Sequence, residues 1–299
     1  MATNILLPQD GGVKPVGNIP KPIITPNGVP NAIDTGVSTE PKVIPGMKNN
    51  LITEDIFLPS KGIVYPYFSG HLKLRAMTTM EERIRLSGQE FWSTMCNVIN
   101  RCICNPAEDT ITAEELTDFD FFAAMVKLRI ISYGPEYKTR VQCPKCGKAQ
   151  WVKIDLDHLA ETSIPDGFEE PIMLGKLPKS GDEIGIRFLR VQDHIDISKM
   201  ATEQLQNEAT AQLGDPTYTL QMERQIVSIN GEPLDSVLTR RYVESMIGMD
   251  SNYYHQKIEN IFYGIHRVQV AHCDNEECGS PMLCAVAPDS EFFRPSLDD

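Results

Sequence analysis

Two cysteine pairs that lie far apart in the sequence constrain the fold of this 299-residue chain more than any other feature. Cys143 and Cys146 belong to the stretch CPKCG, and Cys273 and Cys278 belong to CDNEECG, with 126 residues between the two pairs. Cysteine pairs in tight turns supply the four thiolates that hold a structural Zn2+ ion in a tetrahedron. The pattern therefore predicts that the chain returns to close one zinc site from both pairs.

The residues around the pairs agree with two zinc knuckles flanked by strands. Gly147 and Gly279 each follow the second cysteine of a pair, where a sharp turn favours a positive φ that glycine adopts cheaply. Runs of alternating, β-prone residues flank both turns, at 137–141, 151–156, 266–270 and 282–286. Two such hairpins around one ion form a zinc ribbon.

The second pair is more widely spaced than the first, C-x4-C against C-x2-C, and this leaves the ligand set open. Cys284, or His272 beside Cys273, is an alternative ligand, and four unliganded thiols are a further alternative. Four cysteine ligands close the coordination shell, whereas a catalytic zinc keeps one position open for water or substrate. We therefore expect the metal to stabilise the fold and not to take part in a reaction.

The overall composition argues against a nucleic-acid-binding, a membrane-spanning or a secreted protein. Hydrophobic residues make up 41% of the chain and charged residues 23%, which is ordinary for a globular protein. The net charge of −13 argues against a general nucleic-acid binder, which presents a basic face. No apolar run approaches the roughly 20 residues that span a bilayer, and no secretory signal pattern is present. We therefore expect synthesis in the cytoplasm, where paired cysteines indicate metal ligands and not disulfides.

Residues 1–50 differ from the rest of the chain. They contain eight of the 21 prolines and six of the 20 glycines, and no aromatic residue. Such a segment cannot bury enough apolar surface to fold alone, and its prolines favour extended geometry. Single valines and isoleucines recur between the prolines and glycines, which favours an extended arm that lies on a partner. A disordered tail is the alternative.

Residues 51–135 are predicted to combine a β-hairpin with helices. The hairpin is expected within 51–77, and Thr78 or Thr79 is placed to cap the helix that follows. A second helix is expected over 91–104. Three cysteines on or near it lack a knuckle spacing and are predicted to be buried as small apolar residues: Cys96, Cys102 and Cys104.

A third helix is predicted to follow the capping box formed by Thr112 and Glu115, and to run through LTDFDFFAAMVKLRII. Asp118 and Asp120 fall in its first turn, where acidic side chains complement the helix dipole. We expect both to be exposed acids and not a catalytic carboxylate pair.

The segment between the knuckles, 156–265, is predicted to be mainly helical. A strand is expected at 186–190, followed by helices at 192–210, 216–228, 235–248 and 250–263. Asp193 and His194 are adjacent in the first of these helices. Adjacent side chains of a helix point in different directions, so a catalytic dyad is not expected.

The predicted fold class is α+β, with small β elements and a four-cysteine zinc ribbon interrupted by a mainly helical insertion. An extended N-terminal arm rich in proline and glycine precedes it. The corresponding domains are the arm at 1–50, the β-hairpin plus helical region at 51–135, the discontinuous zinc-ribbon module at 136–155 and 266–296, and the insertion at 156–265.

Several motifs, in order along 51–296, resemble one known protein family. They are LPSKGIVYP with the following GHLKLRAMTTMEE, the CPKCGK knuckle, NIFYGIHR, the CDNEECG knuckle and FFRPS. This combination resembles the baseplate hub and hub-assembly proteins of contractile-tailed bacteriophages of the T-even type. The 50-residue arm and the C-x4-C spacing depart from that family's pattern.

The resemblance implies a late viral protein that takes part in assembly of the tail baseplate, is located in the virion and is synthesised in the host cytoplasm. Its partners would be other baseplate or tail proteins. Enzymatic activity, a small-molecule substrate, nucleic acid and a membrane span are not expected. Phe292 and Phe293 of the FFRP stretch either pack on the ribbon's own sheet or dock on a neighbour.

Two other functions are alternatives. The first is a zinc-ribbon adaptor that binds nucleic acid or a polymerase, and its best support is three basic residues near the first knuckle, Lys145, Lys148 and Lys153. The second is an enzyme. It would need a pocket in which a carboxylate lies beside one of three histidines, His194, His255 or His266.

Overall fold

The structure, a computed structural model, describes residues 52–86, 90–287 and 292–293. These residues form an α+β fold of small antiparallel sheets and helices, as predicted, with four cysteines clustered at one place. The predicted arm at 1–50 and the end of the FFRP stretch lie outside the described residues. In the part of the chain that the structure describes, no helix is long and apolar enough to cross a membrane.

The strands of the described ranges are short. In chain order they are β1 (Thr53–Phe57), β2 (His71–Arg75), β3 (Glu136–Gln142), β4 (Ala149–Asp155), β5 (Glu161–Thr162), β6 (Ile172–Lys176), β7 (Glu183–Ile186), β8 (Ile226–Ile229), β9 (Glu232–Pro233), β10 (Gly264–Ile265), β11 (Val268–His272) and β12 (Pro281–Ala285). They form one four-stranded antiparallel sheet with the order β6-β7-β8-β9, and the two-stranded antiparallel sheets β1-β2, β3-β4, β5-β10 and β11-β12.

The helices are α1 (Thr79–Arg85), α2 (Phe91–Cys102), α3 (Asp118–Tyr133), α4 (Val191–Gln206), α5 (Glu208–Ala211), α6 (Thr217–Gln225), α7 (Ser236–Ser245) and α8 (Gly248–Glu259). Short 3-10 turns lie at Ala107–Asp109, Ala113–Glu115 and Leu156–His158. Ten of the 16 residues of α3 are buried, which is typical of a helix at the centre of a core.

The first hairpin forms as predicted, and the LPSKG motif begins the loop between its strands. β1 and β2 pair antiparallel along their whole length, and the Leu58 N–H donates to the Gly70 carbonyl at 2.9 Å. Gly62 has a φ of 76°, and a Cβ atom at that position would lie 2.5 Å from the backbone carbon of Ser69. The close approach of the two backbone segments therefore requires glycine.

Helix α1 begins at the cap that the sequence predicts. The Thr78 hydroxyl accepts a hydrogen bond from the Met80 N–H at 3.3 Å, and the Glu81 carboxylate accepts one from the Thr78 N–H at 2.9 Å. This reciprocal pair satisfies two backbone donors at the helix start. The following helix, α2, matches the prediction over 91–104 and ends at Cys102.

The start of α3 differs from the prediction. The Thr112 capping box forms, but it caps the 3-10 turn Ala113–Glu115. Leu116 is extended, and its carbonyl accepts a hydrogen bond from the Val191 N–H at 2.9 Å. This pairing with a distant segment breaks the helix, and Thr117 caps α3 instead.

Two predictions about burial are wrong. Cys96 and Cys102 are buried as expected, but Cys104 is exposed, because α2 ends at Cys102 and Cys104 lies beyond it. Asp118 is half-buried, and Asp120, expected to be exposed, is fully buried.

Asp120 is buried because groups from the loop after β1 contact both of its carboxylate oxygens. The Ser60 N–H donates to Oδ1 at 3.0 Å, and the Tyr65 hydroxyl donates to Oδ2 at 2.5 Å. Burial raises the pKa of Asp120, while these hydrogen bonds oppose the shift. The carboxylate therefore anchors the loop to α3, and it is part of the core and not of the surface.

The main core surrounds α3 and includes the last described residues. Phe292 and Phe293 are buried in it. The ring of Phe292 lies 5.5 Å from the ring of Tyr137 on β3, and Arg129 Nε donates to the Phe292 carbonyl at 2.8 Å. Of the two alternatives for these phenylalanines, the structure supports packing on the protein's own sheet.

The insertion at 156–265 contains the predicted helices, which are shorter than expected. The helix predicted at 192–210 is divided into α4 and α5, and the one predicted at 216–228 ends at Gln225. Asp193 pairs with Arg187 at 2.8 Å and His194 stacks on Trp92, so the adjacent side chains point apart as predicted.

The sequence predicts one strand in the insertion, at 186–190, and not the four-stranded sheet. The strand of the structure, β7, covers Glu183–Ile186, so residues 187–190 lie outside it. Residues assigned to the end of a helix form β8, which turns into β9 at Asn230-Gly231, where φ is 53° and 83°. Asn-Gly after a run of β-branched residues is a strong hairpin signal and marks this turn in the sequence. The sheet packs with α6, α7 and α8 around a second core that includes Ile184 and Tyr254.

Candidate metal centre

The first cysteine pair lies in the turn between β3 and β4. The Cys143 N–H donates to the Lys148 carbonyl at 2.8 Å, and the Gly147 N–H donates to the Cys143 carbonyl at 2.9 Å. Gly147 has a φ of 73°, in the positive range that the sequence predicts. These two bonds close the turn, so that Cys143 and Cys146 lie at the same end of the hairpin.

The second pair lies in the turn between β11 and β12, with two additional residues. The Cys273 N–H donates to the Ser280 carbonyl at 2.9 Å. The equivalent bond of the first knuckle joins the Cys143 N–H to the Lys148 carbonyl. The Gly279 N–H donates to the Asn275 carbonyl at 3.0 Å, and the φ of Gly279 is 53°. Asn275 therefore occupies the same turn position as Cys143 does in the first knuckle, because each supplies the carbonyl that accepts from the glycine N–H. The C-x4-C spacing therefore keeps the knuckle turn and places its first cysteine two residues earlier.

The structure brings the four predicted cysteines together. All four Sγ atoms lie within 4.8 Å of one another. Cys143 Sγ is 3.8 Å from Cys278 Sγ, and Cys146 Sγ is 3.6 Å from Cys273 Sγ. Zn–S bonds of about 2.3 Å at tetrahedral angles separate the sulfurs by about 3.8 Å. Disulfide sulfurs are only about 2.05 Å apart, so the spacing fits four ligands of one ion.

Contacts between the two hairpins hold the knuckles in place. Beneath the sulfurs, Val141 and Val152 of the first hairpin pack with Ala271 and Met282 of the second. The Gln150 side chain bonds to the backbone on both sides of Cys273: Nε2 donates to the His272 carbonyl at 3.0 Å, and Oε1 accepts from the Asp274 N–H at 2.8 Å. The protein itself therefore positions the second knuckle against the first.

Hydrogen-bond donors around two of the sulfurs favour the thiolate form. The backbone N–H of Cys146 lowers the pKa of the Cys143 thiol. The Ser280 hydroxyl and backbone N–H lower the pKa of Cys278 to about 6. Thiolates are the form that binds a metal, so the turns favour the binding form of Cys143 and Cys278. At Cys273 the backbone N–H of Asn275 lowers the pKa, but burial and hydrogen bonds with the other three cysteine sulfurs raise it to about 12.

The alternative ligands lie outside the cluster. Cys284 is fully buried in the main core, and its Sγ lies 4.0 Å from the Met282 carbonyl. His272 Nδ1 lies 3.3 Å from the Gly279 carbonyl. Among the described residues, the four cysteines named by the sequence form the group that could hold a metal.

A comparison with known families decides what kind of protein carries this centre. The model of the family described as T4 bacteriophage base plate protein matches the chain over residues 52–286. This chain belongs to the T4 baseplate protein family. The match spans both knuckles and the whole insertion between them. No curated protein and no solved structure matches the chain.

Membership gives this baseplate protein a structural role in a phage tail. The family indicates a protein located in the virion tail, with other phage tail proteins as its partners. The match begins at residue 52, so it leaves out the predicted arm at 1–50.

The histidines of this baseplate protein take up structural contacts. His194 stacks on Trp92 with ring centroids 4.5 Å apart, and His255 stacks on Tyr218 at 3.9 Å. His266 Nε2 lies 2.9 Å from a threonine hydroxyl. Carboxylates lie near two of these rings, Asp118 and Asp193 near His194 and Glu259 near His255, but in the described ranges none of the three rings forms a hydrogen bond with a carboxylate.

Proposed function

We propose that this chain is a structural component of the hub region of a contractile-tail baseplate. In this proposal Cys143, Cys146, Cys273 and Cys278 bind a structural Zn2+ ion. The sulfur cluster carries the proposal, because four sulfurs within 4.8 Å of one another, in a member of a baseplate family, fit a zinc site. The motifs that resemble hub and hub-assembly proteins support the hub position.

The zinc ion would stabilise the fold. It would join two knuckles that are separated by 126 residues, and closing so long a loop costs conformational entropy. A structural zinc site supplies folding free energy on the order of 10 kcal/mol, which exceeds that cost. Isolated two-stranded hairpins are marginally stable in water, so the ion and the packing beneath it would fix the two hairpins as one module.

Each domain predicted from the sequence has its own role in this proposal. The ribbon module at 136–155 and 266–296 and the region at 51–135 would form the rigid body, and the insertion at 156–265 would present further surface to neighbours. The arm at 1–50 would bind other baseplate or tail proteins in an extended form. A segment that cannot fold alone gains its order from the partner, so it adds contact area without a core of its own.

A complementation experiment tests the assignment. Phage that lack this gene are grown in cells that supply the wild-type chain or a variant, and the tails are inspected by electron microscopy. We expect the wild-type chain to restore complete baseplates and Cys143→Ser or Cys273→Ser to fail, because the knuckles separate. Deletion of residues 1–50 is expected to leave a folded chain that is not incorporated.

Cys104→Ser is the matched control, because Cys104 is exposed and lies outside the cluster. This variant should restore tails as well as the wild-type chain does. A label fused to the chain should mark the tail axis at its distal end, where a hub lies. Complete tails that lack the chain would refute the structural role, and a label at the baseplate periphery would refute the hub position.

A further inference from the structure

The two hairpins of the ribbon bury one face against each other, and among the described residues no element covers the outer face of β3-β4. Residues directly opposite in an antiparallel pair share a face, and successive residues alternate between faces. Val141 and Val152 lie on the inner face, in the cluster beneath the sulfurs. The outer face consists of four cross-strand pairs: Gln142 with Ala149, Arg140 with Trp151, Lys138 with Lys153, and Glu136 with Asp155.

Trp151 lies near the middle of this outer face and is 67% exposed. Within the described residues its ring makes no ring–ring or cation–π contact. A tryptophan side chain buries about 150–250 Å² when it is covered, and tryptophan and arginine are enriched among the residues that dominate interface energetics. An exposed tryptophan opposite an arginine therefore marks a contact surface better than a single exposed aliphatic residue would.

The charges of the face leave its knuckle end cationic. At the far end Glu136 lies 3.6 Å from Lys138 Nζ and 3.2 Å from Lys153 Nζ, and Asp155 lies opposite Glu136, so two acidic groups balance the two lysines. In the described part of the chain, the side chains of Arg140 and Lys145 have no hydrogen bond or ion pair. Arg140 lies directly opposite Trp151, and an unpaired cation at an exposed tryptophan stands out in a chain whose net charge is −13.

We propose that the outer face of β3-β4, centred on Trp151 and Arg140, docks an acidic segment of a neighbouring tail protein. This inference rests on the proposed function and names the surface and the chemistry of one partner. A carboxylate of the partner pairs with the Arg140 guanidinium, whose planar fork matches a carboxylate in two parallel hydrogen bonds. An apolar side chain next to that carboxylate covers Trp151.

The same charges favour an acidic protein segment over nucleic acid. Binding to nucleic acid strengthens with the number of phosphates that lysines and arginines neutralise. Lys148 is paired with Asp274 at 2.9 Å, and Glu136 and Asp155 lie on the face itself. Few free cations remain for a phosphate backbone, whereas one carboxylate beside one apolar group needs only Arg140 and Trp151.

Cross-linking in assembled tails tests the proposal. Arg140→Lys keeps the charge and supplies an amine, which a carbodiimide joins to a carboxylate only where the two groups are in contact. Tails purified from phage with this variant should yield an amide between position 140 and an Asp or Glu of another tail protein. Radical footprinting of wild-type tails should show oxidation of Trp151 reduced about fivefold relative to the free chain, as expected for a buried interface centre.

Trp92 is the internal control for the footprint, because it is half-buried in the main core and its oxidation should be equal in tails and free chain. When the wild-type chain and the Trp151→Ala variant are supplied together, tails should contain at least about tenfold more of the wild-type chain. The matched variant Leu213→Ala, at a residue that is 85% exposed, should compete equally.

Distinct results separate this proposal from the one on which it rests. Tails that contain the chain but leave Trp151 as reactive as in the free chain would overturn the docking surface and leave the baseplate role intact. A cross-link to a second copy of this chain, or nuclease-sensitive protection of Trp151, would also overturn it, in favour of self-association or nucleic acid. Absence of the chain from tails would instead refute the proposed function.

Discussion

At the scale of single residues, the buried carboxylate of Asp120 holds the loop after β1 against α3, because it accepts hydrogen bonds from Ser60 and Tyr65 of that loop. Asp120 is predicted at the surface because its own helix turn suggests a dipole-complementing acid. Its contacts, Ser60 and Tyr65, lie 60 and 55 residues earlier, and no local pattern shows such a pairing.

Tyr65→Phe tests the anchoring of the loop by Asp120. The Tyr65 hydroxyl donates to Asp120 and accepts a hydrogen bond from the Thr117 N–H at 2.9 Å, all in a buried environment. Removing it leaves a buried carboxylate oxygen and a buried N–H without this partner. We expect the free energy of unfolding to fall by about 2–3 kcal/mol, measured by denaturant titration.

Tyr67→Phe is the control for this substitution, because it makes the same chemical change two residues away on a side chain that is 90% exposed. We expect a change within about 0.5 kcal/mol. If both variants were equally stable, the Tyr65 hydroxyl would not be stabilising the buried carboxylate.

At the scale of helices and strands, patterns of capping and periodicity locate most elements but not their ends. The capping box at Thr112 is real, yet α3 begins later because Leu116 pairs with Val191. The strand β8 falls where the sequence predicts the end of a helix, although the Asn-Gly turn after it marks a hairpin.

Contacts between elements also depend on buried charges such as Glu81, which joins β2, α1 and α2 and is only 1% exposed.

Glu81→Gln tests this junction. Burial by itself would raise the pKa of Glu81, but hydrogen bonds from Arg75, Thr78 and Arg101 hold that pKa far below its usual value. The ionised form therefore contributes stability above the pKa of the unfolded chain, and this contribution is lost as the pH falls towards the folded pKa. We expect the variant to be less stable at pH 7 by about 2–4 kcal/mol.

The pH dependence separates this effect from a general packing defect. The difference in unfolding free energy between wild type and Glu81→Gln should shrink as the pH is lowered from about 5 to about 2, because the wild type alone loses the ionised carboxylate. Glu108→Gln, which removes an exposed carboxylate, should show little effect at any pH. A difference for Glu81→Gln that stays constant over this range would refute the role of its charge.

At the scale of the whole molecule, the sequence predicts which segments meet but not how they pack. The paired knuckles indicate a ribbon interrupted by a long insertion, and the structure brings the four sulfurs within 4.8 Å of one another. The contact of the two inner hairpin faces, and the core that joins β3, α3 and Phe292, depend on packing between distant segments. Composition likewise cannot show that Arg140 lies opposite the exposed Trp151 on one face of an acidic chain.

Metal analysis of the purified full-length chain tests the proposed joining of the two knuckles most directly. Elemental analysis should find one zinc per chain in the wild type and in Cys104→Ser. Cys143→Ser and Cys273→Ser should each lose both the zinc and the folded state, because either knuckle alone supplies only two ligands. A folded wild-type chain without metal, in which the thiols of all four cysteines react freely, would contradict a zinc site shared by the two knuckles.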